Sequence, residues 1–128
     1  LPSMLMLITT RKRAHLSSLV QLWISGLCGG SISMLLKTII QRERPIIEMT
    51  FAGMQDYSFP STHAAIAAAA LPIVWYALPK LRTLWIGWVV LVILSRIYLE
   101  LHYLSDVVWG AVLGLGIGWC VIKLVKIK

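Results

Sequence analysis

Four long apolar segments constrain the fold of this chain more than any other feature of its sequence. They cover about residues 14–40, 62–79, 83–101 and 105–125. A helix needs about 20 mostly apolar residues to cross the hydrocarbon core of a bilayer. With 59% apolar and 13% charged residues and a mean hydropathy of +0.82, the chain lies outside the range of soluble domains. We therefore expect an all-α, polytopic transmembrane bundle.

The N-terminal residues 1–10 are also apolar, but they are too few to span a membrane and indicate only part of a fifth helix. The length of 128 residues allows a single membrane-embedded domain, residues 1–128. No charged segment followed by a cleavage site is visible, so the sequence does not predict a signal peptide. Because the chain begins with Leu1 rather than Met, we expect one or more N-terminal helices of this domain to be missing.

The basic residues are divided between the two faces of the predicted bundle. Alternating spans place eight of the 12 Lys and Arg residues on one side: Arg11, Lys12, Arg13, Lys80, Arg82, Lys123, Lys126 and Lys128. The positive-inside rule makes this side cytoplasmic. The other four cations and all five acidic residues then face the periplasm or exterior, in a bacterial-type plasma (inner) membrane. The net charge of +7 follows this topology, so a nucleic-acid surface is not predicted.

Small residues predict how the spans pack. The run of residues 64–70 is almost entirely alanine, which suits close contact better than a lipid-facing surface, so we expect this helix at the bundle centre. Gly110, Gly114 and Gly118 recur every four residues in the last span. Such a stripe allows two helix backbones to approach closely.

Three polar clusters interrupt the apolar segments at the outward face. They are Lys37 with Arg44-Pro45, then Pro60-Ser61-Thr62-His63, and then Ser95-Arg96 with His102 and Asp106. Ionisable groups are costly in a membrane, so a set at one depth suggests a functional site. Cations that hold an oxyanion, together with two histidines, are what cleavage of a phosphate ester requires.

The first two clusters could each bind part of one anion. Lys37 and Arg44 are nearly two helical turns apart and therefore share a face. Ser61 is a good N-cap, and the N–H groups at the helix start after it favour a phosphate. Alternatively, the two cations extend toward lipid headgroups, and Ser61 is a plain cap followed by the interfacial His63.

The third cluster needs a break in the chain. Arg96 and His102 are six residues apart, about 240° around a continuous helix, so they share a site only if a loop separates them. His102 and Asp106 are four residues apart and can face each other on one helix. The carboxylate could hold the proton of one ring nitrogen and leave the other nitrogen as a nucleophile. The alternative is a surface His–Asp pair.

In order and spacing, these clusters resemble the three-part signature of the type 2 phosphatidic acid phosphatase family, which shares its site with vanadium haloperoxidases and bacterial non-specific acid phosphatases. The family's membrane members resemble a six-helix bundle, which implies that this chain supplies four full spans plus part of a fifth. The family usually has glycine at the position of Thr62. The resemblance therefore implies a tighter pocket here and leaves the substrate preference open.

The resemblance also implies a role for each residue of the three clusters. The phosphoryl oxygens would be bound by Lys37, Arg44, Ser61, Thr62 and Arg96. His102 would attack phosphorus to form a phosphohistidine, oriented by Asp106. His63 would protonate the leaving group, and water would then release the phosphate.

The implied activity is that of a metal-independent lipid phosphatase of phospholipid metabolism, acting on phosphatidate, phosphatidylglycerophosphate or a polyprenyl diphosphate such as undecaprenyl diphosphate. No cofactor is expected, because three fixed cations can replace the metals of other phosphatases. Cys28 and Cys120 lie within spans without metal-ligand spacing. Two alternatives remain, a vanadate-dependent haloperoxidase-like enzyme and a non-catalytic membrane scaffold or channel subunit with a polar water cavity. The sequence leaves the oligomeric state open.

Overall fold

The computed structural model describes residues 2–45 and 57–126. Within these ranges the chain forms helices and no strand. The helices are α1 (Pro2–Ile40), α2 (Thr62–Ala77), α3 (Arg82–Tyr98) and α4 (Leu104–Leu124), with a 3₁₀ turn at Pro79–Leu81. The predicted all-α bundle is confirmed.

Helix α1 begins much earlier than the predicted first span. Residues 2–13 continue the same helix, which has 39 residues. No proline or glycine lies between Pro2 and Gly26 to interrupt it. The N-terminal apolar residues are therefore the start of α1 and not part of a separate fifth span.

Helix α2 is shorter than a full membrane span. Among the described residues, the segments Met4–Ile40, Pro79–Tyr98 and Leu104–Leu124 are long and apolar enough to cross a membrane. Helix α2 has only 16 residues, about 24 Å of helix. It stops at Ala77 because Pro79 disfavours helical geometry at the residue before it. The prediction of four full-length spans therefore holds for α1, α3 and α4, while α2 is a short central helix.

The central position predicted for α2 is confirmed by its burial. Helix α2 packs against the other three α-helices. Its buried side chains are Ala64, Ala65, Ala67, Ala68, Ala69, Ala70, Pro72, Ile73 and Val74. In contrast, α3 has one buried residue, Val89. The alanines are covered on several sides because they occupy little space.

The glycine stripe of α4 lies directly on α2, as predicted. A Cβ atom added to Gly110 would lie 2.6 Å from the Ser61 carbonyl oxygen. At Gly114 and Gly118 it would collide with the carbonyl oxygens of Ala65 and Ala69. The two backbones are therefore in contact, which only glycine permits at these positions.

The predicted outer loop, residues 45–60, lies mostly outside the described residues. Its last residues, 57–60, are described and include a cis peptide bond between Phe59 and Pro60. They run beside the turn at residues 99–103, where Glu100 has a φ of 55°. This end of the bundle, where α1 and α3 finish and α2 and α4 begin, is called the polar end below.

Candidate active site

Lys37 and Arg44 enter the polar end from the C-terminal side of α1. The Lys37 side chain is almost buried, with 4% relative exposure, and its Nζ donates a hydrogen bond to the Tyr57 carbonyl at 2.7 Å. Arg44 Nη1 donates to the Leu101 carbonyl at 3.2 Å. The two cations therefore reach the residues beside Ser58 and His102.

The start of α2 is fixed by Ser61. This residue is fully buried, and its Oγ accepts a hydrogen bond from the Ala64 N–H at 3.4 Å, as an N-cap does. Its own N–H donates to the Asp106 carbonyl at 3.0 Å. The predicted cap is thus confirmed, and it ties the start of α2 to the first turn of α4.

Arg96 reaches the same end through the break that the sequence required. Helix α3 ends at Tyr98, and α4 begins only at Leu104. The Leu101 N–H donates to the Arg96 carbonyl at 3.2 Å, which closes the turn before His102. Arg96 and His102 are therefore on different elements, so their positions are not limited by helical spacing.

Two buried polar atoms at this end lack a hydrogen-bond partner within residues 2–45 and 57–126. They are Thr62 Oγ1 and Arg96 Nε. A buried donor without a partner costs about 1–3 kcal/mol. Both atoms can donate a hydrogen bond, so both suit an anionic ligand.

His102 presents one defined ring nitrogen for chemistry. Its side chain is 5% exposed, and Nδ1 lies 2.8 Å from the Ser58 carbonyl oxygen. A carbonyl can only accept, so Nδ1 carries the proton. The neutral ring then holds its lone pair on Nε2, the nitrogen that would act as a nucleophile.

Asp106 differs from the prediction in its contacts. Its Oδ2 is 3.7 Å from His102 Nδ1, beyond hydrogen-bond range, and accepts instead from the Tyr103 N–H at 2.8 Å. Its Oδ1 accepts from Arg42 Nη1 at 2.8 Å. Because His102 precedes α4, the spacing of four residues brings the two groups to ion-pair distance but not into a direct hydrogen bond. The Ser58 carbonyl accepts the hydrogen bond from Nδ1, and the orienting role of Asp106 stays a prediction.

The surroundings of His102 favour its neutral form. The residue lies in the turn between α3 and α4, outside the spanning helices. Burial, followed by the positive charges of Arg44 and Lys37, lowers the pKa of His102 to about 4. The Ser58 hydrogen bond and the Asp106 carboxylate oppose this shift. At pH 7 the ring is neutral and its Nε2 lone pair is available.

His63 lines an apolar groove. Its side chain is exposed, two residues after the α2 cap. The groove has a volume of about 620 Å³ and runs between α1, α2 and α3, lined by His63 with Leu19, Leu22, Trp23, Gly26, Leu27, Ile66, Ala67, Ala70, Trp85, Trp88 and Val92. Trp85 is fixed there by a hydrogen bond from Nε1 to the Ala67 carbonyl at 3.1 Å. An apolar chain could thus extend from the polar end into the bundle.

Three residues that complete the cluster were missed by the sequence analysis. Tyr57 and Ser58 act through backbone carbonyls, which every residue has, so their side chains gave no signal. Arg42 was counted only as an outward cation, although it binds the Asp106 carboxylate. Within the described parts of the chain, no group of three His, Cys, Asp or Glu residues could hold a metal ion.

Most of the chain matches a known protein family. Residues 14–128 match the family model of the PAP2 superfamily. The decaprenylphosphoryl-5-phosphoribose phosphatase of Mycobacterium tuberculosis (strains CDC 1551 / Oshkosh and ATCC 25618 / H37Rv) is 37% identical over 100 residues, covering 69% of this chain. The chain spans about half the length of these curated relatives, 50%.

A solved structure gives the same fold. It is the crystal structure of the transmembrane PAP2 type phosphatidylglycerolphosphate phosphatase from Bacillus subtilis, with a TM-score of 0.66 and 30% sequence identity. The match covers 86% of this chain and 61% of that chain.

Proposed function

This chain belongs to the PAP2 superfamily, and from this premise we propose that it is an integral membrane phosphatase. Its substrate is a lipid phosphate monoester or a polyprenyl diphosphate, cleaved through a phosphohistidine intermediate. The names of its relatives support this class, since one acts on decaprenylphosphoryl-5-phosphoribose and the other on phosphatidylglycerolphosphate.

The hydrogen bond from His102 Nδ1 to the Ser58 carbonyl carries the proposal. It leaves the Nε2 lone pair of a neutral ring for attack on phosphorus. The P–Nε2 bond forms as the bond from phosphorus to the leaving oxygen breaks, and His63 gives that oxygen a proton. Water, deprotonated by His63, then attacks the phosphohistidine and releases phosphate with His102 neutral again.

The phosphoryl group is bound by the cations of the polar end. A loose phosphoryl-transfer transition state spreads negative charge over three oxygens, so fixed positive groups stabilise it. Lys37, Arg44 and Arg96 supply the charge, assisted by Ser61 and Thr62 at the N-terminus of α2. The buried, unpartnered Arg96 Nε and Thr62 Oγ1 support this assignment, and the reaction needs no metal.

The apolar groove supports a substrate with a hydrocarbon chain. Its volume of about 620 Å³ is within the range of about 300–1,000 Å³ that is typical of ligand pockets. Because His63 lines this groove, a chain attached to a phosphate bound beside His63 would lie between α1, α2 and α3. Phosphatidate, phosphatidylglycerophosphate and a polyprenyl diphosphate all meet this requirement.

The charge distribution supports an outward-facing site. Arg11, Lys12 and Arg13 lie on the part of α1 far from Lys37, and Lys80 lies between α2 and α3. Because the cation-rich side faces the cytoplasm, the polar end opens toward the periplasm or exterior of a bacterial-type plasma membrane.

A phosphate-release panel tests the proposal. The full chain, reconstituted in vesicles, is given each of the three lipid classes with and without a chelator, and then with vanadate. We expect release from at least one lipid, unchanged by the chelator and inhibited by vanadate. Release that requires added Mg²⁺ would refute the metal-free mechanism. No release from any lipid would favour a scaffold or channel role, and oxidation of bromide by peroxide with vanadate would favour the haloperoxidase alternative.

A further inference from the structure

The Asp106 carboxylate is fully buried, with 0% exposure of its side chain, and lies beside the His102 ring. Its Oδ2 is 3.7 Å from His102 Nδ1, which is ion-pair distance, and accepts a hydrogen bond from the Tyr103 N–H at 2.8 Å. The Ser58 carbonyl oxygen lies 2.8 Å from the same ring nitrogen. A neutral acceptor and a negative charge therefore face His102 Nδ1 together.

The side chain of Arg42 holds the negative group. Its Nη1 donates to Asp106 Oδ1 at 2.8 Å, the carboxylate oxygen other than the one measured to His102. A buried carboxylate requires hydrogen bonds and a positive partner. Arg42 supplies both and leaves Oδ2 in place beside the ring.

The main chain of Arg42 holds the neutral acceptor. The Arg42 carbonyl accepts the Ser58 N–H at 2.8 Å. Ser58 is fully buried, and its Oγ donates to the Glu43 carbonyl at 3.1 Å. One residue after the end of α1 is therefore bonded to both groups that face His102 Nδ1.

The guanidinium of Arg42 is itself fixed by two further contacts. Nη1 also donates to Ser105 Oγ at 2.6 Å, and the guanidinium carbon lies 4.3 Å from the centre of the Tyr103 ring. A planar guanidinium can bind a carboxylate and stack on an aromatic ring together, whereas lysine carries a point charge on a flexible chain. The side chain is therefore held in place although 38% of it is exposed.

We propose that Arg42 is a positioning residue that holds the Asp106 carboxylate beside His102 while this ring acts as the nucleophile. This role rests on the proposed function, in which His102 Nε2 attacks phosphorus. As the P–Nε2 bond forms, the ring keeps its Nδ1 proton and gains positive charge, which a fixed carboxylate stabilises. The neutral ring of the ground state gains less, so Arg42 should favour the transition state over the bound substrate.

The experiment compares the binding of two anions to the full chain in detergent micelles by titration calorimetry. Inorganic phosphate reports binding by the cations of the polar end. Vanadate can also form a bond to His102 Nε2 and so resembles the transition state. We expect Arg42→Gln to weaken vanadate binding about tenfold and phosphate binding by less than about twofold. With a lipid that the protein cleaves, kcat should fall about tenfold at a nearly constant KM.

The effect of Arg42→Gln should disappear once the carboxylate is absent, because Arg42 acts through Asp106. In an Asp106→Asn background, Arg42→Gln should leave the vanadate affinity unchanged. Arg42→Lys keeps the charge and should recover part of the loss. Unchanged vanadate binding in Arg42→Gln would overturn the proposal. Equal weakening of both anions, or an equal loss with and without the carboxylate, would also overturn it, since a merely structural role predicts these results.

The matched control is Arg82, which makes the same kinds of contact at the start of α3, at the opposite end of the bundle. Its Nε donates to the Trp75 carbonyl at 2.6 Å, and its guanidinium carbon lies 4.8 Å from the centre of the Trp75 ring. Arg82→Gln should change the affinity for neither anion. A selective loss of vanadate binding in this variant would contradict the role assigned to Arg42.

Neither binding measurement needs turnover. A wild type that binds vanadate but releases no phosphate from any lipid would refute the proposed function, and the vanadate comparison would still decide the role of Arg42. A wild type that binds no vanadate would overturn that role as well.

If Arg42→Gln does not fold, a pair of variants at Tyr103 tests the same proposal. Tyr103→Leu removes the ring that Arg42 contacts and keeps the backbone N–H, and it should weaken vanadate binding about threefold. Tyr103→Phe keeps the ring and should bind vanadate as the wild type does. Equal vanadate affinities in the two variants would overturn the proposal.

Discussion

The polar end and the α2–α4 interface are stabilised by opposite means. At the polar end, buried groups such as Asp106 and His102 are held by hydrogen bonds between 2.6 and 3.2 Å and by charge. At the interface, Gly114 and Ala65 meet backbone to backbone. The arrangement of the polar end depends on which atoms carry charge and protons. The packing of the α2–α4 interface depends on how little space its side chains fill. Substitutions should therefore separate activity from stability.

The largest expected effect is at the polar end. His102→Ala removes the proposed nucleophile and should lower phosphate release by about 10³-fold or more. The helices should remain folded, because the bundle packs through α2 and α4. Phosphate release and circular dichroism in detergent measure the two properties.

The control for this substitution is His15→Ala. His15 is exposed on α1, away from the polar end, and its loss should change neither property. Full activity in the His102 variant would remove this residue from the mechanism.

At the interface, Gly114→Ala should lower stability and leave the chemistry of the surviving folded protein intact. The added Cβ would collide with the Ala65 carbonyl, and overpacking of this kind costs about 1–3 kcal/mol. Thermal unfolding in detergent measures the loss. Gly116→Ala is the matched control, since nothing lies within 4 Å of its added Cβ and alanine favours a helix by about 1 kcal/mol. Equal melting temperatures for the two variants would contradict the backbone contact.

A substitution in the apolar groove should change the substrate preference alone. Gly26 lines the groove. A Cβ atom added to Gly26 would lie 4.0 Å from the Ile66 side chain, its nearest contact. Gly26→Leu should fit but fill part of the space, and we expect kcat/KM for a long-chain lipid phosphate to fall about tenfold. A short, water-soluble phosphate ester should be cleaved as before.

Gly116→Leu serves as the control for the groove, because this residue is exposed on α4. It should affect neither substrate. An equal loss with both substrates in Gly26→Leu would argue against a chain in the groove.

The acid side of the pH profile gives a smaller effect. Burial, Arg44 and Lys37 lower the pKa of His102 to about 4, so the ring stays neutral as the pH falls below the usual histidine range. We therefore expect protonation of His102 to lower kcat/KM only when the pH falls to about 4. The unfolded chain binds this proton at higher pH than the folded one, so the free energy of unfolding should fall between pH 6.5 and 4. An acid limb set by His102 near pH 6.5 would contradict the burial of the ring.

The sequence was sufficient to locate the helices and to predict which helix ends lie together at the polar end. Apolar length located all four α-helices, and the spacing of Gly110, Gly114 and Gly118 identified the α4 contact face. The required break between Arg96 and His102 was also correct. These features depend on periodicity and side-chain type, which a sequence displays directly.

Some contacts of the site could not be predicted from the sequence. Ser58 accepts a hydrogen bond from His102 through its backbone carbonyl, and no pattern of side chains indicates such a bond. The spacing of four residues did bring His102 and Asp106 to ion-pair distance, but it could not show that the Ser58 carbonyl takes the direct hydrogen bond. Arg42 was overlooked because its partner Asp106 is distant in sequence and the pairing depends on the tertiary fold.

The most direct test of the account is to trap the phosphorylated protein. The full chain is mixed with a labelled lipid phosphate that it cleaves, quenched in alkali to preserve phosphohistidine, and digested for mass spectrometry. We predict a phosphoryl group on Nε2 of His102, absent in His102→Ala. Turnover with no phosphoryl group on His102, or with the group on His63 instead, would contradict the assignment of the nucleophile.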